Sequence, residues 1–164
     1  MNTDLFFQKI RTYHHISEQA ELAWTDLLLL KKYNRNENFV NIGQHPRKIG
    51  FVVKGLFSQN FIADYGSVGI KYFFPEQRMA ASLSAMLAKK PSEFYITAIE
   101  DTTILEYDFF EFRKLFANFP DLALFYIAYN DIHWVIEKEH LEISLRTQTS
   151  AKRYDDFLKN IPHL

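Results

Sequence analysis

The sequence predicts an α+β fold, a β-scaffold interrupted by one short helix and followed by one long helix. Three observations predict it. All five glycines (Gly43, Gly50, Gly55, Gly66 and Gly69) stand among short apolar runs rich in Phe, Val, Ile and Tyr. Strands broken by tight turns have this texture, because glycine takes positive φ without a Cβ clash. Within the same region Met79 to Lys89 is poor in aromatics and rich in Ala, Ser and Leu, which suits a short helix. From Asp108 onward the apolar spacing becomes helical.

The elements follow in order. Leu5, Phe6, Ile10 and Tyr13 are spaced for a short amphipathic helix over Asp4 to Tyr13. Ser17 is placed to N-cap a second helix that ends near Asp26, with Glu18 and Glu21 in its first turn. Leu27 to Tyr33 suits either a helix end or a strand; the turn cluster Asn34-Arg35-Asn36-Glu37-Asn38 behind it favours a strand. Phe39 to Ile42 and Ile49 to Val53 are short strands. Leu56 to Ala63 alternates as a half-buried strand does, and Asp64-Tyr65-Gly66-Ser67 turns it back into a partner over Val68 to Phe74. The helical insert spans Met79 to Lys89 and ends at Lys89-Lys90-Pro91, since proline cannot continue a helix. Phe94 to Ile99 and Thr103 to Tyr107 are strands across a turn at Asp101. Phe109 to Asn118 is a helix, broken at Phe119-Pro120, and Pro120 starts a long helix to about Ser144. In it Leu122, Tyr126, Tyr129, His133, Ile136, His140 and Ile143 recur at four and three, an a/d seam over three heptads; such a helix can pack on its own scaffold or pair with a second copy, and its first half, apolar on nearly every side, is expected to do both.

Composition narrows the function. A chain of 164 residues makes one domain, or one domain with an appended element. With 16 Phe and 9 Tyr its core is bulky, and a formal net charge of −1 gives no whole-surface nucleic-acid footprint. Having no cysteine, it holds no disulfide and no thiolate-ligated zinc or iron–sulfur cluster. With no signal peptide and no apolar run of about 18 residues, a soluble cytoplasmic protein is expected.

The order of elements resembles the sensor domain of the Crp/Fnr family of transcription regulators, a cyclic-nucleotide-binding-type β-roll followed by a dimer helix. The residues carrying the likeness are Gly43, the strand Phe51-Val52-Val53-Lys54-Gly55, Gly66 at the hairpin, and Met79 to Ala98, which lies without gaps on the family's phosphate-binding cassette. Ile104-Leu105-Glu106-Tyr107 follows it, and Phe119-Pro120-Asp121 is similar to the Asn-Pro-Asp that opens the dimer helix. Ser150-Ala151-Lys152-Arg153-Tyr154, with Phe157-Leu158 and Pro162, resembles the segment leading to the DNA-binding domain. The resemblance implies a cyclic-nucleotide-binding-like β-roll (a double-stranded β-helix or jelly roll) with N-terminal helices over 1–118, a dimerisation helix over 119–149, and a linker over 150–164. It further implies a homodimeric, ligand-sensing transcription regulator that reaches DNA through a helix-turn-helix domain not present in this sequence. Arg146, Lys152, Arg153 and Lys159 add positive charge near that junction.

Two substitutions set the chain apart from nucleotide-binding members. Ser82 stands where the family carries a ribose-binding glutamate, and Ser92, followed by Glu93, where it carries a phosphate-binding arginine. A serine hydroxyl cannot replace a bidentate guanidinium, and Glu93 repels phosphate. Ordinary cyclic AMP binding is therefore not expected, and a different cyclic nucleotide or another small anion is the candidate effector. The candidate ligand-binding residues are Arg78, Ala81, Ser82, Leu83, Ser84, Ser92, Glu93, Tyr95 and Glu137. Ser82, Leu83 and Ser84 open the insert helix, where free N–H groups hold an anion or where the serines simply cap. Arg78 serves as a displaced phosphate partner or lies in solvent; Tyr72, Phe74 and Tyr95 line a pocket or pack in the core. Glu137 and Lys138 fall where the family meets the ligand's base, Glu137 accepting from an amino group or lying on a solvated face. His133 and His140 face their counterparts across the seam, either as a pH-sensing pair or as plain packing.

No catalytic or metal-binding residues are identified. A cupin-like metalloenzyme needs clustered ligands, and His45 stands alone in the β-region. The remaining alternative is a stand-alone cyclic-nucleotide-like module that acts by protein contact, without DNA binding and without a membrane.

Overall fold

The computed structural model describes residues 3–149 together with 152, 153, 155, 156 and 159, so most of the expected linker over 150–164 lies outside the described residues. Two N-terminal helices, α1 (Asp4–Arg11) and α2 (Glu18–Thr25), precede the strands. The Ser17 side chain accepts from the Ala20 N–H, so the cap read from the sequence is present. Strands β1 (Leu29–Tyr33), β2 (Asn38–Val40), β3 (Lys48–Lys54), β4 (Phe57–Ile62), β5 (Val68–Phe74), β6 (Met79–Ala80), β7 (Tyr95–Ala98) and β8 (Thr102–Asp108) form two antiparallel four-stranded sheets, ordered β1-β8-β3-β6 and β2-β7-β4-β5. The insert helix α3 (Leu83–Ala88) lies between β6 and β7. Helix α4 (Phe109–Lys114) and a 3-10 turn (Leu115–Ala117) lead to a C-terminal rod.

Alternation along β3 and β8 explains the layers. Val52 and Ile104 pack with Phe39, Val40, Phe57, Phe74, Ile96 and Ala98 between the sheets, whereas Ile49, Phe51, Leu105 and Tyr107 pack against the helices. Strands β3 and β8 are thus buried on both faces, whereas the edge strand β1 is largely exposed. A Cβ on Gly50 would stand 2.7 Å from Ile104 Cδ1, so close packing requires the glycine. At Gly55, with φ +100°, a Cβ would also meet Thr102 Oγ1 at 2.6 Å.

Several expectations are corrected. Met79 and Ala80 do not begin a helix: they pair with Phe51 and Gly50, and burial in the sheet overrides their helix propensity. Helix α3 does end where expected, at Lys89, which takes the left-handed conformation (φ 53°) while the Lys90 N–H bonds the Ala85 carbonyl. Strand β4 is not half-buried over its first four residues, since Ser58, Gln59 and Asn60 are buried along with Phe57 in a strand flanked on both sides. The helix expected over Phe109 to Asn118 ends at Lys114.

The rod begins with Pro120 and consists of α5 (Pro120–Asn130), a π-helical stretch (Asp131–Ile136) and α6 (Glu137–Thr147). Its start is tied down where the Ser17 N–H donates to Asp121 Oδ2 at 2.7 Å. Its first half seals the helix-side core through Leu122, Phe125 and Tyr129, and Trp134 touches both core clusters. The predicted single seam is corrected here. Leu122 and Tyr129 are buried by their own chain, and the His133 side chain is only 8% exposed, so none of them offers surface to a partner. Tyr126 is half-buried, while Ile136, His140 and Ile143 are exposed. Leu124, Ile127, Val135, Ile136, Ile143 and Leu145 form the apolar surface the rod leaves uncovered.

Candidate functional site

The candidate site lies where the insert helix, the turn before β6 and the middle of the rod come together. Two polar groupings occupy it. In the first, Ser82 and Ser92 hydrogen-bond one another, Oγ to Oγ at 2.8 Å, and both are buried. Ser92 Oγ donates to the Phe94 carbonyl at 2.7 Å, and the Ser92 backbone is held by Gln44 O and the Gly43 N–H. Ser82 does not cap α3 with its side chain, so the capping expectation is corrected: its hydroxyl is committed to Ser92 instead. Ala81 and Leu83 are buried in the core, Ser84 and Glu93 are exposed, and Tyr95 is half-buried. The structure thus brings Ser82 and Ser92 together but does not gather all the predicted residues around one opening.

The second grouping is a clasp between roll and rod. Arg78 follows a turn at Gln77 (φ 63°), and its own N–H bonds the Pro75 carbonyl while its carbonyl accepts from Val52. This backbone positions the side chain against the rod rather than in solvent. Arg78 Nη1 donates to Glu137 Oε1 at 2.9 Å and Nη2 to Oε2 at 2.6 Å, a bidentate pair. Nη2 also donates to the Tyr72 hydroxyl, which in turn donates to Glu137 Oε2 at 3.2 Å. His133 Nδ1 lies 2.6 Å from Arg78 Nη1 and 2.8 Å from Glu137 Oε1, and Nε2 lies 2.7 Å from the Tyr13 hydroxyl. One ring nitrogen cannot serve both neighbours. Protonated at Nε2, His133 accepts from Arg78; protonated at Nδ1, it donates to Glu137. Tyr129 backs the cluster, its hydroxyl accepting from the Met79 N–H at 3.0 Å and its ring 4.4 Å from that of His133.

The electrostatics follow from this packing. Burial alone would raise the Glu137 carboxyl, but hydrogen bonds from His133 and Arg78, with their charges, outweigh it and bring it down to about 2. Burial pushes the Tyr72 hydroxyl up to about 12, with Arg78 opposing and Glu137 reinforcing the shift. Burial also raises Tyr129 and Tyr13. Beside the clasp, Lys71 is lowered by burial and then by repulsion from Lys138, while Glu93 pulls it upward. Its ammonium sits 3.9 Å from the centre of the Phe94 ring.

Arg78 and Glu137, each read from the sequence as a ligand contact or a solvated side chain, meet each other, and His133, placed by the heptads on the seam, joins them. Tyr13 escaped sequence reasoning, since nothing near it in the chain points to a residue 120 positions away. Two surface hollows, one lined by Arg35, Lys54, Gly55, Glu76, Glu100 and Asp101 and the other by residues of α1 and α2, lie away from this cluster. Among the described residues no group of three or more His, Asp or Glu converges as metal ligands, and no helix is long and apolar enough to cross a membrane.

No family model matches the chain, and no curated protein matches its sequence. Solved structures do match. The catabolite activator protein of Thermus thermophilus superposes with a TM-score of 0.65 at 15% identity, over 85% of this chain and 63% of its own. The c-di-GMP responsive global regulator CLP of Xanthomonas campestris gives 0.68 at 11% identity, over 88% and 72%. Oxidized CprK in complex with o-chlorophenolacetic acid gives 0.55 at 16% identity, over 82% and 55%. The fold of this chain is therefore the cyclic-nucleotide-binding-type β-roll with N-terminal helices and a long C-terminal helix. The chain spans about 63% of the Thermus protein and about 55% of CprK.

Proposed function

We propose that this chain is the effector-sensing domain of a Crp/Fnr-type transcription regulator and works as a non-catalytic homodimer. The β-roll over 1–118 receives a small ligand between the insert helix and the rod, and the rod over 119–149 pairs with a second copy. The segment over 150–164 leads toward a DNA-binding domain outside this sequence. The observation that carries this reading is the clasp of Arg78, Glu137 and His133, because it joins the ligand-side turn of the roll to the rod through charged, exchangeable contacts. An element with two arrangements is what a sensor needs to convert occupancy into a change of helix packing.

The effector is not cyclic AMP. The positions matching the family's ribose and phosphate grips are Ser82 and Ser92, buried and satisfied by one another. A neutral hydroxyl pair offers a cyclic phosphate no charge. CLP is described as responsive to c-di-GMP, and CprK was solved with o-chlorophenolacetic acid, so this fold accommodates effectors other than cyclic AMP.

The dimer contact falls on the uncovered apolar face of the rod, which includes Val135, Ile136 and Ile143. Sedimentation analysis combined with calorimetric titration tests the reading. The parent chain should sediment as a dimer, the Val135→Asp, Ile136→Asp double variant as a monomer, and cyclic AMP should give no binding heat. A monomeric parent chain, or micromolar binding of cyclic AMP, would overturn it.

A further inference from the structure

The charged feature of the site is a mostly covered cation with an internal partner. Arg78 keeps 17% of its side-chain surface exposed, whereas Glu137, which binds it, keeps 38%. The guanidinium is thus a fixed, mostly covered receptor, and the carboxylate is the more accessible member at its mouth. Arg78 presents two parallel N–H donors, Tyr72 adds a hydroxyl that already donates to Glu137 Oε2, and His133 Nδ1 stands 2.8 Å from Oε1. This is a complete set of donors for a planar or tetrahedral oxyanion. Lys138 follows Glu137 and Lys71 precedes Tyr72; the two ammonium groups repel one another, and the Glu93 carboxylate offsets part of that charge at Lys71.

We infer that Arg78, Tyr72 and His133 form the binding site for a small oxyanionic effector, carrying a carboxylate or phosphate group, and that Glu137 is the chain's own occupant which such a molecule displaces. The inference rests on the ligand-sensing reading above and deepens it by naming the receptor group and the class of ligand. Displacement frees a residue of the rod that immediately follows the π-helical stretch Asp131–Ile136. A π turn holds one more residue than an α turn, so its closure to α geometry rotates the helix beyond it by about one residue, roughly 100°. Glu137, held by Arg78, pins that stretch; an effector on Arg78 unpins it. The exposed Ile143 and Leu145 lie on the segment that would turn.

The test uses the nuclear magnetic resonance signal of the Arg78 Nε–H, assigned by its loss in Arg78→Lys. Potassium acetate and sodium phosphate are titrated at constant ionic strength against the parent chain, Glu137→Gln and Glu137→Ala. Saturable shifts of that signal are expected, with at least tenfold tighter binding in the two Glu137 variants than in the parent, and calorimetry should show no binding of either anion to Arg78→Lys. The stronger of the two titrants identifies the carboxylate or phosphate class. The inference is overturned if neither anion saturates the signal in either folded Glu137 variant, or if calorimetry shows Arg78→Lys binding either anion as tightly as they do. In those cases a dimeric chain that binds another effector in calorimetry would leave the sensing reading standing, whereas a silent monomer would remove both.

Discussion

The buried serine pair and the Arg78–Glu137 clasp stand on either side of β6, at Ser82 and Arg78, and solve opposite problems. Ser82 and Ser92 are neutral, enclosed and satisfied without solvent, so the contact belongs to the core. Arg78 and Glu137 are charged and only partly covered, and they join two elements instead of closing one. A neutral buried pair is hard to exchange because each hydroxyl would be left unpaired in a dry site. An ion pair with one accessible member exchanges at lower cost, since water or a ligand can take its place. The comparison sets a sealed, neutral pair against a partly open, charged one.

The largest effect is expected from forcing a charge into the sealed half. Ser92→Arg places a guanidinium where only a serine hydroxyl faces it, and urea unfolding should show a loss of about 3–5 kcal/mol. Adding Ser82→Glu should return part of that loss; no recovery would mean that the two positions do not face one another. Arg78→Met removes the clasp but leaves Glu137 accessible to water, so about 2 kcal/mol should be lost. An unchanged midpoint would make the clasp energetically idle. Ser82→Ala deletes one neutral hydrogen bond and should cost about 1 kcal/mol by the same measurement.

The smallest effect is in pH dependence. Glu137 titrates in the folded chain at about 2, below its ordinary 4.5, so its contribution is fully present above pH 4.5 and is lost as pH falls toward about 2. Stability measured across that window should fall less steeply in Glu137→Gln than in the parent. Identical slopes would show that the carboxylate is not held as described.

Much of the scaffold was legible because its signals are local. Ser17 caps α2 through a residue three positions on, the glycine-bearing turn at residues 64–67 reverses β4 into β5, and Pro120 opens the rod. The site was legible only by parts. Arg78, Ser82, Ser92 and Glu137 could be picked out from residue type and resemblance, but Arg78 and Glu137 are 59 positions apart. Nothing in the periodicity of the rod shows that Tyr129 and His133 turn toward the roll while Ile136 and Ile143 turn away. The heptad reading failed there because the π-helical stretch changes the number of residues per turn midway along the pattern.

By itself, then, the order of residues determined the sequence of strands and helices, the caps and turns between them, and the absence of charge at the Ser82 and Ser92 positions. Such features depend on neighbours a few residues away, or on the identity of a single side chain. Which cation meets which carboxylate, which face of the rod is sealed, and why Met79 and Ala80 extend instead of coiling were decided only in three dimensions. Burial and pairing are properties of surfaces brought together by the whole chain, and a side chain's own preference of a few tenths of a kcal/mol yields to them.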